Sequence, residues 1–138
     1  MAQYSPVQAV SRAKYQADHQ QAIWRNRCLG FVVWCYFGGP TAHGYATAAI
    51  TYYHTRFRHW GTDAPSGTLV WWTGGLRGAG HVAIACGGGY CYSTDFGPRG
   101  YIGDGRVRKV PITSISRYDR NLTYRGWTRD INGITVIH

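Results

Sequence analysis

The chain has 138 residues, with 15 Lys and Arg against 6 acidic residues, a formal net charge of +9 and a hydrophobic fraction of 44%. A chain of this length buries roughly two thirds of the surface its unfolded form exposes, so it needs neither a disulfide lattice nor a metal to hold a core, and its apolar content excludes a disordered basic tail. No apolar run approaches the ~20 residues of a membrane-spanning helix, and the polar start MAQYSPVQAV lacks the charged and apolar regions of a secretory signal. The expectation is one domain over residues 1–138, made in a cytoplasm, without membrane insertion.

The four Cys, at positions 28, 35, 86 and 91, are too few and too irregular for a small secreted disulfide scaffold, which leaves free thiols as the default. Their spacing, with no downstream His pair, argues against zinc. Thirteen of the basic residues are Arg, and every acid is Asp. Such an excess suits an anionic partner, whether nucleic acid, a membrane surface or a charged cell wall. The Arg residues are scattered rather than run together, which speaks against specific nucleic-acid recognition and is equally consistent with solvated faces.

Ser5-Pro6-Val7-Gln8 reads as a capping box with Pro at the first helical position, opening a helix to about His19. A second helix begins near Asn26, a residue suited to capping, and stops at Gly38-Gly39-Pro40. Its Leu29, Phe31, Val32, Val33, Trp34, Tyr36 and Phe37 are apolar nearly all round, as in a central buried helix. Ala42, Ala46, Ala49, Tyr53, Phe57 and Trp60 lie near helical spacing and predict a third helix from Thr41 to Trp60. After Asp63-Ala64-Pro65-Ser66-Gly67 the character changes to short Gly-punctuated β runs: TLVWWT, HVAIAC, YCYST, RVRKVPI and TYRGWT. Helices followed by strands make an α+β pattern with a mostly antiparallel sheet. None of the Gly-rich stretches leads into a helix with a Lys-Ser/Thr signature, so no phosphate cradle is indicated.

Cys28 falls in the first turn of its helix, where free backbone amides and the helix dipole favour an anion, and Arg25 and Arg27 add positive potential. A thiolate at neutral pH is the functional reading; a buried structural Cys is the plainer one. His81 opens a strand, on the face shared with Ala83 and Ala85, where small side chains leave room for the Cys28 helix to approach. A three-residue turn Gly87-Gly88-Gly89 would pair Cys86 with Tyr90 and set His81 opposite Asp95, giving a Cys-His-acid set in which the carboxylate orients the imidazole. Shifting that turn by one residue would instead bring Cys86 opposite Cys91, so a hairpin disulfide competes with the triad register. Ser93, on the same face, is the second candidate for the third position.

These residues carry a resemblance. Arg27-Cys28-Leu29-Gly30-Phe31-Val32, the stretch Pro65-Ser66-Gly67-Thr68-Leu69-Val70-Trp71-Trp72-Thr73-Gly74-Gly75, the run Gly80-His81-Val82-Ala83-Ile84-Ala85 and the triplet Ser93-Thr94-Asp95 together resemble the papain-like peptidoglycan hydrolases of the NlpC and CHAP type. The nearest likeness is to the catalytic domains of endolysins from phages of actinobacteria, and it extends to Gly126-Trp127-Thr128-Arg129-Asp130-Ile131-Asn132-Gly133. The resemblance implies a papain-like fold in which Cys28 attacks a peptidoglycan amide, His81 acts as general base and then acid, and Asp95 orients His81. It implies endopeptidase or amidase action through an acyl-enzyme, no cofactor, a monomer with bacterial peptidoglycan as its partner, and action at the wall after release from the host cytoplasm.

Trp71 and Trp72 alternate across their strand, so one is expected in the core and the other along a groove where sugar or peptide could stack. His43, His54 and His59 lack metal spacing and read as surface or groove residues; Asp104, Asp119 and Asp130 read as loop residues. Asn26 could also help hold an oxyanion. The competing function is a non-catalytic module that uses its basic surface and exposed aromatics to hold wall polymer or nucleic acid.

Overall fold

The capping box at the start of the chain forms as written. Ser5 Oγ accepts from the Gln8 amide at 3.2 Å, Gln8 Oε1 accepts from the Ser5 amide at 2.9 Å, and helix α1 runs over Pro6–His19. In this computed structural model, which describes residues 3–39, 47–97 and 103–138, α1 is followed by α2 (Cys28–Phe37) and α3 (Ala48–Tyr53). Strands β1 (Arg58–His59), β2 (Leu69–Gly74), β3 (His81–Gly87), β4 (Tyr90–Thr94) and β5 (Val107–Pro111) come next. A short helix α4 (Ile115–Tyr118) leads to β6 (Leu122–Thr128) and a small hairpin of β7 (Asp130–Ile131) and β8 (Ile134–Thr135). The result is an α+β fold in which the N-terminal helices pack on a six-stranded antiparallel sheet of order β1-β6-β2-β3-β4-β5. Among the described residues no helix is long and apolar enough to cross a membrane.

Strand alternation divides the interior in two. Leu69, Trp71, Val82, Ile84 and Tyr92 face α1 and α2, joining Phe31, Val32, Cys35 and Tyr36 in one core. Val70, Trp72, Ala83, Ala85 and Cys91 face the opposite way and are covered by Val110, Ile112, Ile115 and Leu122. Because both faces are covered, the strands read as nearly continuous apolar runs. α2 is the central buried helix its composition suggests, and it ends at Gly38 in the left-handed conformation (φ 86°).

Two local expectations are corrected, and the choice between free thiols and a hairpin disulfide is decided. The helix expected over Thr41–Trp60 is helical only over Ala48–Tyr53 among the described residues; residues 40–46, which include Ala42, His43 and Ala46, lie outside them. Beyond Tyr53 the chain turns extended because Asp130 captures the backbone amides of Arg56 and Phe57, at 2.9 and 3.0 Å, and Arg58 then pairs with Thr128. The β3–β4 hairpin closes through a two-residue turn, Gly88-Gly89, with Gly87 opposite Tyr90 and a bulge at Cys86. Past the bulge, Ala85 faces Cys91 and Ile84 faces Tyr92, the same alignment that the three-residue turn would have set. Finally, Cys86 packs against the helical core and Cys91 against the other, so all four Cys are free and no hairpin disulfide forms.

Asp130 is not a loop acid. It is wholly buried, its carboxylate also accepts from the Gly133 amide at 3.0 Å, and its carbonyl takes the Thr128 hydroxyl, which in turn accepts from Trp71 Nε1 at 2.8 Å. One residue thus joins the approach to β1 and the β7–β8 hairpin through its carboxylate, and the central strand through its carbonyl. Asp130→Ala would strand three amides, and we expect it to lower unfolding stability in urea by about 3 kcal/mol; a loss under half of that would show that water or a neighbour replaces the carboxylate.

Candidate active site

Cys28 is the first residue of α2 and sits where the helix N-terminus meets the start of β3. Its sulfur faces the backbone amides of Val82, Leu29 and Cys28 itself. His81 opens β3 and is 3% exposed, with Phe96 edge-on at 4.6 Å and Trp72 at 5.6 Å between ring centroids. Cys28, His81 and Asp95 line one cleft of about 450 Å³, together with Leu29, Leu76 and Arg77. Gly80 makes this approach possible. At φ 71°, a Cβ there would stand 2.6 Å from the Trp72 carbonyl and 3.0 Å from the Ala49 amide, so only glycine lets the α3 start, the β2 end and His81 come together.

The three residues expected to act together do line one cleft, but their hydrogen bonds differ from those expected. The partner of His81 is Ser93: Oγ lies 2.7 Å from His81 Nε2 and donates its own hydrogen to the Thr94 carbonyl at 3.1 Å. Donation of the hydroxyl hydrogen to Thr94 would place the imidazole hydrogen on Nε2 and leave Nδ1 as the basic nitrogen. Asp95, expected to orient His81, instead follows the end of β4 at φ 68°. Its Oδ2 accepts from the Asn26 amide and its Oδ1 from the Gly105 amide, both at 2.9 Å. The left-handed turn rotates the carboxylate off the strand alternation that would have aimed it at His81. Asp95 is therefore a positioning residue, tying the segment before Cys28 to the end of β4. Asn26 does not cap α2. Its amide is held by Asp95 at φ 55°, and Arg27, in the capping position, makes no side-chain cap bond.

The imidazole and the helix reach the cleft from unexpected directions. α2 packs on the Val82 and Ile84 face, and the alanine face that holds His81 is covered by the second core. Both line the cleft where β3 begins. Trp71 and Trp72 are both fully buried, one in each core, so neither offers the stacking surface expected of them. Trp72 instead forms a wall beside His81.

Burial sets the electrostatics. It pushes the Cys28 thiol up to about 11, assisted by the charge of Asp95 and opposed by the amides of Val82, Leu29 and Cys28. The expected thiolate at neutral pH is thus replaced by a neutral thiol. Arg27 lies over the Trp24 ring at 5.3 Å, and Arg25 acts on Asp95 rather than on the sulfur. Burial likewise holds His81 far below the usual imidazole range, at about 3. The resting pair is an uncharged thiol and an uncharged imidazole, each in a pocket that resists charge. Ser93 was legible as the residue sharing the His81 face; the role of Asp95 was not, because it depends on two backbone amides far away in sequence.

No protein-family model matches the chain, and no curated protein matches it.

The depressed pKa of His81 gives stability a pH dependence. Below about pH 6.5 the unfolded chain takes up a proton at this position that the folded chain refuses until about pH 3. Stability should therefore fall by roughly 1 kcal/mol per pH unit between pH 6 and 3 from this residue. Urea unfolding of wild type and His81→Gln across that range measures it: the variant should show the shallower slope, and equal slopes would mean that His81 already binds its proton in the folded state.

Proposed function

We propose that the protein is a papain-like cysteine hydrolase that cleaves amide bonds of bacterial peptidoglycan, as an endopeptidase or amidase. The observation that carries this reading is the convergence of a helix-start cysteine and a strand-start histidine on one cleft, with Nε2 of the imidazole 2.7 Å from the Ser93 hydroxyl. Its further supports are the sequence resemblance and a +9 charge suited to an anionic wall.

The chemistry follows from the neutral pair. As Cys28 Sγ attacks the amide carbonyl, its proton passes to His81 Nδ1, so charge develops only when substrate is in place. The imidazolium is stabilised through Nε2–H to Ser93. The helix-start amides, already turned toward the sulfur, favour the negative charge that moves from sulfur to the carbonyl oxygen. His81 then hands the proton to the departing amine, leaving an acyl-Cys28 thioester. Water, deprotonated by the same imidazole, releases the acid and restores the thiol. Substrate excludes further water from the cleft and strengthens each of these interactions.

The turbidity of a purified peptidoglycan suspension tests the reading. Cys28→Ala and His81→Ala should abolish clearing, whereas Ser93→Ala should retain it at a kcat lower by roughly ten- to a hundredfold, with KM little changed. Clearing at the wild-type rate by Cys28→Ala would refute Cys28 as the nucleophile, whereas wall binding without any clearing by the wild type would favour a wall-binding module.

A further inference from the structure

Above the cleft, residues 74–80 form a tightly bonded loop between β2 and β3. The Gly75 amide donates to Asn121, Gly78 to Gly75, Ala79 to Leu76 and Gly80 to Gly74, while the Ala49 amide fastens the Ala79 carbonyl from outside. This loop holds Arg77 at φ 55°, a left-handed conformation that a residue with a side chain rarely adopts, between Gly75 and Gly78. Arg77 is exposed, lines the cleft that holds Cys28 and His81, and has no carboxylate of the described residues within ion-pairing distance. The two acids of the same cleft are engaged elsewhere: Asp95 with Asn26 and Gly105, Asp119 with the Asn121 amide at 3.0 Å. Arg12, Arg58 and Arg108, by contrast, are used on ring faces, backbone carbonyls or Asp104. Leu29, Leu76, Ala79 and Leu122 give the same cleft an apolar part beside its polar groups.

We propose that Arg77 is a specificity residue that receives a carboxylate of the peptide being cleaved, while Leu76 and its apolar neighbours accept small aliphatic side chains beside it. A guanidinium offers a planar pair of donors that matches a carboxylate, and one held on an ordered loop loses little freedom in forming both bonds. The identity of the ligand rests on the peptidoglycan reading, whose stem peptides alternate small aliphatic residues with carboxylates. Arg77 touches the substrate away from the scissile bond, so it governs binding and choice of substrate rather than the chemical step.

The test uses the Cys28→Ala protein, which binds without turnover, and two probes: a disaccharide-pentapeptide muropeptide, and the same molecule with its carboxyl groups converted to amides. Calorimetry should show the amidated probe binding about tenfold more weakly, a discrimination that falls below about twofold in Cys28→Ala/Arg77→Gln and is partly restored by Arg77→Lys. Because Arg77 is exposed, its variants should keep the parent's melting temperature. Equal affinity of the parent for both probes, no measurable binding of the acidic probe, or full discrimination without Arg77 would overturn the proposal. Cleavage by the wild-type protein is read separately. Cleavage of both muropeptides with equal kcat/KM overturns the subsite alone, whereas Arg77-dependent binding without any cleavage by wild type overturns the hydrolase reading and leaves the carboxylate site standing.

Discussion

A single carboxylate decides where the Cys28 sulfur stands. Asp95 reaches from the end of β4 to the Asn26 amide on one side and the Gly105 amide on the other, and Trp24 closes the same junction by donating to the Gly105 carbonyl at 2.9 Å. Gly105 fits there because a Cβ would meet the Arg25 amide at 2.9 Å. The segment leading into α2 is thereby bound to the strand next to the one that carries His81. Two left-handed residues, Asn26 and Asp95, are accepted to make this joint, each at a cost of order 1 kcal/mol offset by two hydrogen bonds to a charged acceptor. Without it, the N-terminus of α2 would be placed only by packing of its far end, which positions a helix face but not the first residue.

The second constraint is that the sheet is buried on both sides. Covering the Ala83 and Ala85 face with Val110, Ile112 and Ile115 leaves His81 between Trp72 and Phe96 with little water. Cys28, half-buried at the start of α2 on the other face, is partly desolvated by the packing of its helix. Desolvation then outweighs the helix-start amides, and the pair rests uncharged. On the proposed hydrolase reading that choice has a merit: an uncharged thiol is less open to chance oxidation, and proton transfer would wait for a substrate carbonyl to share the developing charge. Ser93 supplies that uncharged imidazole with a buried hydrogen-bond partner.

Much of the fold was legible because its signals are local. The Ser5-Gln8 capping box, the all-apolar α2 bounded by Gly38, and the five β runs each reappear within a residue or two, and the pairing of β3 with β4 was legible from the hairpin alone. The site was legible as a set of residues but not as a set of roles. Strand alternation places Ser93, and equally Asp95, on the His81 face, and only the positive φ at Asp95 removes it. The helix-dipole argument for a thiolate at Cys28 weighs local amides and omits the desolvation that tertiary packing adds. Asp130 escaped notice for a similar reason: its three amide partners come from Arg56, Phe57 and Gly133, two of them more than 70 positions distant. The same distance effect cut the third helix short.

The account stands or falls on the protonation of one ring. Nitrogen-15 NMR of histidine-labelled protein, with His81 assigned through His81→Gln, reads both ring nitrogens directly. At pH 7 the account requires a protonated Nε2 and an unprotonated Nδ1, unchanged down to about pH 4, and a loss of that preference in Ser93→Ala. A His81 that is an imidazolium at pH 7, or that carries its proton on Nδ1, would contradict it.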